Sequence, residues 1–289
     1  IAKLEGGTAA LAFTSGMAAA TALMELFKPG DHIIASHDLY GGTYRLFHRI
    51  SIKNGLSFDW ADASDAARIE ALVKPETRAI FIETPTNPLM QVTDIRAVAK
   101  IARKNQLLLV VDNTFLSPVF QRPLELGADI VLHSATKFLA GHNDTVAGLV
   151  VCGSDVIADR LRTVRLTTGA ALAPFDSWLV LRGLKTLSVR LEKQEETARE
   201  IARWLASCPE IGKVYYPGLP GHPGHSVSKK QSSGFGAMIS FEVTDAAGGE
   251  GLVRNLLEKV RLIRFAESLG GTETLITYPV TQTHAAIPE

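Results

Sequence analysis

The chain has 289 residues, 46% hydrophobic and 21% charged, which excludes a disordered or low-complexity protein and suits one large domain or two medium ones. Lys plus Arg (30) balances Asp plus Glu (30), which argues against nucleic acid or an anionic membrane surface as partner, since either demands a basic surplus. With Cys152 and Cys208 as its only cysteines, the chain has no disulfide scaffold or four-cysteine zinc site, and the reducing cytoplasm is the simpler compartment.

The opening Ile1-Ala2-Lys3-Leu4-Glu5 lacks an initiator Met and a basic-then-apolar leader, and reads as the middle of a helix. The chain is therefore expected to be part of a longer protein. No apolar stretch reaches the roughly 18 residues that a membrane-spanning helix needs. Met17 to Phe27 reads as a helix. The runs 31–35, 79–83, 107–111, 129–132 and 148–151 read as buried strands, and Asp94 to Lys104 as a helix with Ile95, Val98, Ile101 and Ala102 on one face. Near-continuous apolar strands alternating with helices predict an α/β fold, a mostly parallel sheet covered on both faces. Phe175 to Ala206 reads as one long helix of about 48 Å, bent at Gly183 and ended by Pro209. A Gly/Pro-rich loop over 215–224, a strand over 236–243 and a helix near 251–260 follow. The expected division is a large α/β domain over 1–175 and a smaller α+β domain, led by the long helix, over 176–289.

In a parallel sheet, ligands bind beyond the carboxyl ends of the strands. Asp112 closes the apolar run 107–111, as either a turn-forming cap or a charge held near a ligand. Ser134, Thr136 and Lys137 follow the run 129–132, with the two hydroxyls on one face of an extended chain. Alone, Lys137 reads as a solvated surface lysine; beside two hydroxyls and a strand-end acid it reads as a site residue. Thr14-Ser15-Gly16-Met17 opens an alanine-rich helix, either ordinary capping or an anion site of unpaired N–H groups. Neither a Walker loop nor a Gly-x-Gly-x-x-Gly fingerprint occurs. An amine, an acid and an anion cradle together suit pyridoxal phosphate, whose aldehyde needs a lysine and whose ring nitrogen needs an acid. Tyr40 is either a plate for the ring or a buried loop tyrosine. His222 and His225, without a nearby Cys or carboxylate, make no persuasive metal site, and His133 and His142 read as structural.

Six motifs carry a resemblance. Ser134-Ala135-Thr136-Lys137-Phe138-Leu139-Ala140-Gly141-His142, with Val111-Asp112-Asn113-Thr114 placing Asp112 25 residues before Lys137, resembles the cysteine and methionine metabolism family of pyridoxal-phosphate enzymes. So do Ser15-Gly16-Met17-Ala18-Ala19, Leu39-Tyr40-Gly41-Gly42-Thr43, Glu83-Thr84-Pro85-Thr86-Asn87-Pro88 and Glu267-Ser268-Leu269-Gly270-Gly271. The resemblance implies an aminotransferase-like fold of type I. It implies that Lys137 binds the cofactor aldehyde and then shuttles protons, that Asp112 pairs with the ring nitrogen, and that Gly16, Met17, Ser134 and Thr136 hold the phosphate. By the same resemblance Tyr40 stacks on the ring and assists proton transfer, Asn87 reaches the ring hydroxyl, and Ser268 positions Lys137 and the substrate carboxylate. It also implies a homo-oligomer, a dimer at least and a tetramer of two such dimers. A Tyr and an Arg from the partner subunit, and a carboxylate-binding Arg, would lie outside 1–289.

The implied chemistry acts on small amino acids, making or breaking C–S bonds at the γ-carbon as cystathionine γ-synthase and γ-lyase do. Cystathionine β-lyase and O-acylhomoserine sulfhydrylase are the near alternatives; an aminotransferase and a non-catalytic fold relative are the distant ones. Glu267 resembles the acid of γ-synthases and γ-lyases rather than an aromatic of some β-lyases, and is expected to hold a distal ammonium group. Gly42 stands where methionine γ-lyases often carry a cysteine.

Overall fold

The computed structural model describes residues 1–282. Seven strands, β1 (Ala9–Phe13), β2 (His32–Ser36), β3 (Ser57–Ala61), β4 (Thr77–Glu83), β5 (Leu108–Asp112), β6 (Ile130–Ser134) and β7 (Gly148–Cys152), form one sheet in the order β1-β7-β6-β5-β4-β2-β3. Strands β2 to β6 pair in parallel, and β7 is antiparallel to both of its neighbours. β1 consequently points the same way as the parallel set, and the C-terminal ends of β1, β2, β4, β5 and β6 open on one edge. The mostly parallel α/β sheet expected from the sequence is present.

Helix α1 (Ala2–Glu5) precedes β1, helices α2 (Gly16–Met24), α3 (Gly41–Arg45), α4 (Ala66–Ala71), α5 (Ile95–Lys104) and α6 (Ser117–Phe120) lie between the strands, and α7 (Asp155–Thr168) follows β7. Consecutive residues of β4 explain why both sheet faces must be covered. Ala79 and Phe81 join the core beneath α2 and α7, whereas Ile80 and Ile82 join the core beneath α5. Each fully buried Ile of such a strand contributes roughly 1.5–3 kcal/mol, so neither face can be left in water. Helix α5 is set by its own sequence. Asp94 accepts from Ala97 N at 3.0 Å, Ile95, Val98 and Ile101 are buried, and Arg103 and Lys104 oppose the dipole in the last turn.

Strands β1 and β3 were not expected. Ala9-Ala10-Leu11-Ala12-Phe13 has the composition of a helix, but pairing along β7 from Ala9–Cys152 to Phe13–Gly148 makes it a strand. The expected long helix is two: α8 (Pro174–Leu184) and α9 (Leu187–Leu205). The break falls at Lys185 and Thr186 rather than Gly183. Arg190 spans it, donating to Thr186 Oγ1 (3.1 Å), Gly183 O (2.9 Å) and Phe138 O (3.0 Å). Helix α9 ends at Leu205, ahead of Pro209.

The remaining elements are β8 (Ile211–Tyr215) antiparallel to β9 (Ser240–Val243), α10 (His225–Gln231), α11 (Gly249–Lys259), and a short parallel pair, β10 (Arg264–Phe265) with β11 (Leu275–Ile276). The strand expected from 236 begins only at Ser240, because Gly236 takes a left-handed φ of 76° and interrupts the extended run. Of the expected second unit, residues 283–289 lie outside the described residues.

Gly183 serves close approach instead of bending. A Cβ there would sit 2.1 Å from the Ala140 carbonyl oxygen, in the turn that follows Lys137. Gly183→Ala is expected to cost about 1–3 kcal/mol by overpacking, read as a lowered midpoint in thermal or urea unfolding. An unchanged midpoint would show that the turn and α8 separate freely.

Candidate active site

Five strand ends supply the site. Past β1, Ser15 caps α2 by accepting from Ala18 N at 3.0 Å, leaving the first N–H groups of the helix at the cavity mouth. Past β2 comes Tyr40; β4 ends in Glu83 and leads to Asn87; β5 ends in Asp112; β6 ends in Ser134 and leads to Thr136 and Lys137. All ten residues singled out from the sequence, Gly16, Met17, Tyr40, Asn87, Asp112, Ser134, Thr136, Lys137, Glu267 and Ser268, line one cavity of about 980 Å³.

Lys137 Nζ donates to Ser268 Oγ at 3.1 Å. Burial pulls its pKa below the ordinary lysine value, with the carboxylate of Glu267 acting in the opposite sense. Ser268 holds this position with φ at 96°, an uncommon conformation for a residue with a side chain. The loop is tied down by Gln194 Nε2, which donates to Gly271 O at 2.7 Å.

Asp112 is buried, and burial raises its pKa. Bonds from the hydroxyl (2.5 Å) and N–H (3.0 Å) of Thr114 favour its anion instead. Thr114 Oγ1 in turn accepts from Ser134 N at 2.9 Å, linking the ends of β5 and β6. Register places Glu83 beside Asp112 across β4 and β5. Burial, and then the charge of Asp112, push Glu83 well above the ordinary carboxylate range. Behind this face, His133 Nε2 meets Glu5 Oε1 at 2.6 Å, and Asn113 Nδ2 donates to the same oxygen at 3.0 Å, all three residues being buried.

The hydroxyl of Thr136 donates to Ala147 O (3.2 Å) and accepts from Ala147 N (3.0 Å), so its one O–H is directed at the protein. His222 and His225 bond to backbone groups, accepting from Gly224 N (3.0 Å) and meeting Pro217 O (2.7 Å). Sequence reasoning assigned no part to Glu83, Thr114 or Glu5. Glu83 carried the same signal as Asp112, an acid ending an apolar run. Glu5 carried none, because its partner His133 is 128 residues away.

The residues fit a pyridoxal phosphate group. A half-buried amine of lowered pKa and a buried acid share a cavity that also receives the N-terminus of a nine-residue helix. The Cys/Met metabolism PLP-dependent enzyme family matches residues 1–289. Cystathionine γ-lyase of Bacillus subtilis (strain 168) is 49% identical over 288 residues, spanning 100% of this chain and 75% of the relative. Cystathionine β-lyase of Lactococcus lactis subsp. cremoris (strain MG1363) is also 49% identical, over 289 residues with the same coverage. The crystal structure of cystathionine γ-lyase from Lactobacillus plantarum complexed with L-serine superposes with a TM-score of 0.97 at 46% identity, over 99% of this chain and 74% of that one.

The electrostatics set a direction. The Glu267 carboxylate favours the ammonium form of Lys137, so Glu267→Gln is expected to lower the Lys137 pKa further. In cofactor-free protein, acylation of Lys137 followed by peptide mass spectrometry should show its pH midpoint below that of surface lysines, and lower again in Glu267→Gln. A midpoint that stays or rises in the variant would rule out this coupling.

Proposed function

Because the chain belongs to the Cys/Met metabolism PLP-dependent enzymes, we propose that it makes or breaks C–S bonds at the γ-carbon of homoserine-derived amino acids, as a cystathionine γ-synthase or γ-lyase does. The observation that carries this reading is Lys137, hydrogen-bonded to Ser268, sharing one cavity with buried Asp112 and with Glu267. Bound pyridoxal phosphate supplies an electron-withdrawing ring that stabilises negative charge developing at the substrate α-carbon. Lys137 would hold the cofactor aldehyde, and its Nζ would also serve as the base for the substrate α-proton; for γ-chemistry a proton at the β-carbon must also leave. Burial serves both tasks by enlarging the neutral fraction of the amine. Ser268 orients that amine and the substrate carboxylate.

Asp112 pairs with the ring nitrogen and keeps it protonated. The N–H groups of Gly16 and Met17, with the hydroxyls of Ser134 and Thr136, hold the phosphate; Thr136 must turn its O–H from Ala147 to donate. Tyr40 stacks on the ring and assists proton transfer, and Asn87 reaches the ring hydroxyl. Glu267 holds the distal ammonium of cystathionine, which fixes the carbon that faces Lys137.

The division at residue 175 belongs to the same reading, supported by completion of the large sheet at Cys152. So does a cytoplasmic homo-oligomer, with a dimer as the minimal unit and a tetramer of two such dimers as the assembly. Phe175, Trp178 and Leu181, three residues apart on α8, are each more than half exposed and form an apolar stripe suited to self-association. β-Lyase chemistry is the second reading, favoured by a relative that matches as well as the γ-lyase does.

Asp112→Asn in the full-length enzyme should still bind cofactor while turnover falls by orders of magnitude, since an amide does not hold the ring nitrogen protonated. Retained turnover would reduce Asp112 to a cap. Cystathionine should yield mainly 2-oxobutanoate over pyruvate, and Glu267→Ala should move that ratio toward pyruvate. An unchanged ratio would remove Glu267 from the specificity and leave the β-lyase reading equally supported.

A further inference from the structure

Glu83 has no part in the chemistry above, yet it lies at the centre of the loops that carry two of the proposed cofactor contacts. Its side chain ends β4, is 6% exposed, and accepts two backbone N–H groups from two segments. Oε2 takes Tyr40 N at 2.9 Å, and Oε1 takes Asn87 N at 2.8 Å. A second acid works in the reverse direction. Asp38, on the Tyr40 loop, accepts from Leu89 N (3.2 Å) and from the Thr86 hydroxyl, both on the Asn87 loop. Two buried carboxylates thus stitch the loop after β2 to the loop after β4.

We infer that Glu83 is a positioning residue, which fixes Tyr40 and Asn87 relative to each other and so sets the slot that takes the flat cofactor ring. This rests on the proposed reading that Tyr40 and Asn87 contact pyridoxal phosphate. A carboxyl group is the side chain suited to the task, because each of its two diverging oxygens keeps a lone pair for an N–H group. Glutamine of the same shape would turn an NH₂ group toward one of the two amides. Both bonds are to backbone N–H groups, so Glu83 constrains the loop paths whatever the side chains do. The Tyr40 ring is held on its far side as well: a Cβ on Gly42 would lie 2.3 Å from Tyr40 Cε1, so the ring rests directly on that glycine. Acid on the amide fixes the Tyr40 backbone, and the glycine supports one side of the ring.

The test is pyridoxal phosphate affinity, titrated into the full-length apoenzyme of wild type, Glu83→Gln, Tyr40→Ala and the double variant. Visible circular dichroism of the bound cofactor reports ring orientation, and apoenzyme melting monitors the fold. Glu83→Gln is expected to raise Kd roughly tenfold, about 1.4 kcal/mol, and to weaken the dichroism while the apoenzyme melts close to wild type. The double variant should lose less than the product of the two single losses, because Glu83 acts partly through Tyr40. A wild-type Kd and dichroism in Glu83→Gln beside a weakened Tyr40→Ala would overturn the inference alone, as would fully multiplicative losses. Wild-type affinity in both single variants would overturn the Tyr40 contact and the inference with it. Should Glu83→Gln fail to fold, Glu83→Asp, one methylene shorter, must raise Kd and weaken the dichroism; wild-type values there would equally overturn it.

Discussion

Removal of charge from water at the open edge of the sheet is the constraint around which the site is built. Lys137, Asp112 and Glu83 stand at the ends of adjacent parallel strands where side chains leave a fully buried layer, so each must be answered locally. Asp112 is answered by Thr114, Glu83 by two backbone amides, and Lys137 by the Ser268 hydroxyl. Desolvation moves the amine down and the acids up, while the Thr114 bonds to Asp112 and the backbone amides on Glu83 work in the opposite sense.

A rigid approach from the C-terminal half is the second condition. The turn after Lys137 is gripped from one side by Arg190, which donates to Phe138 O, and by Gly183, whose missing side chain admits the Ala140 carbonyl. From the other side the Ser268 loop reaches Lys137, braced by Gln194. The placement of Lys137 Nζ therefore depends on β6, on both long helices and on a loop more than a hundred residues later. A buried polar set behind the sheet, Glu5 with His133 and Asn113, ties the first helix to the ends of β5 and β6.

Most of the sheet was legible because period and burial coincide. The runs containing Ile33-Ile34, Ile80-Phe81-Ile82, Leu109-Val110-Val111 and Ile130-Val131-Leu132 are apolar on both faces, and only a covered parallel strand satisfies that pattern. β1 was not legible, since three alanines in five residues favour a helix until β7 offers hydrogen bonds. The division between α8 and α9 was equally hidden. Its polar and apolar spacing continues through the break, and two of the three Arg190 contacts there are made to carbonyls, which carry no residue signature.

By itself the sequence determined the sheet class, through local apolar runs, and the family, through six ordered motifs whose resemblance picked out ten of the residues that line the cavity. Tertiary structure alone decided that Glu83 would join the Tyr40 and Asn87 loops, that Thr114 would brace Asp112, that Thr136 would spend its hydroxyl on Ala147, and that Glu5 would meet His133. Each of these is a hydrogen bond whose strength depends on distances of about 3 Å between atoms on separate segments or at a turn. Such distances are set by how strands register and loops close, and composition and periodicity carry no record of them.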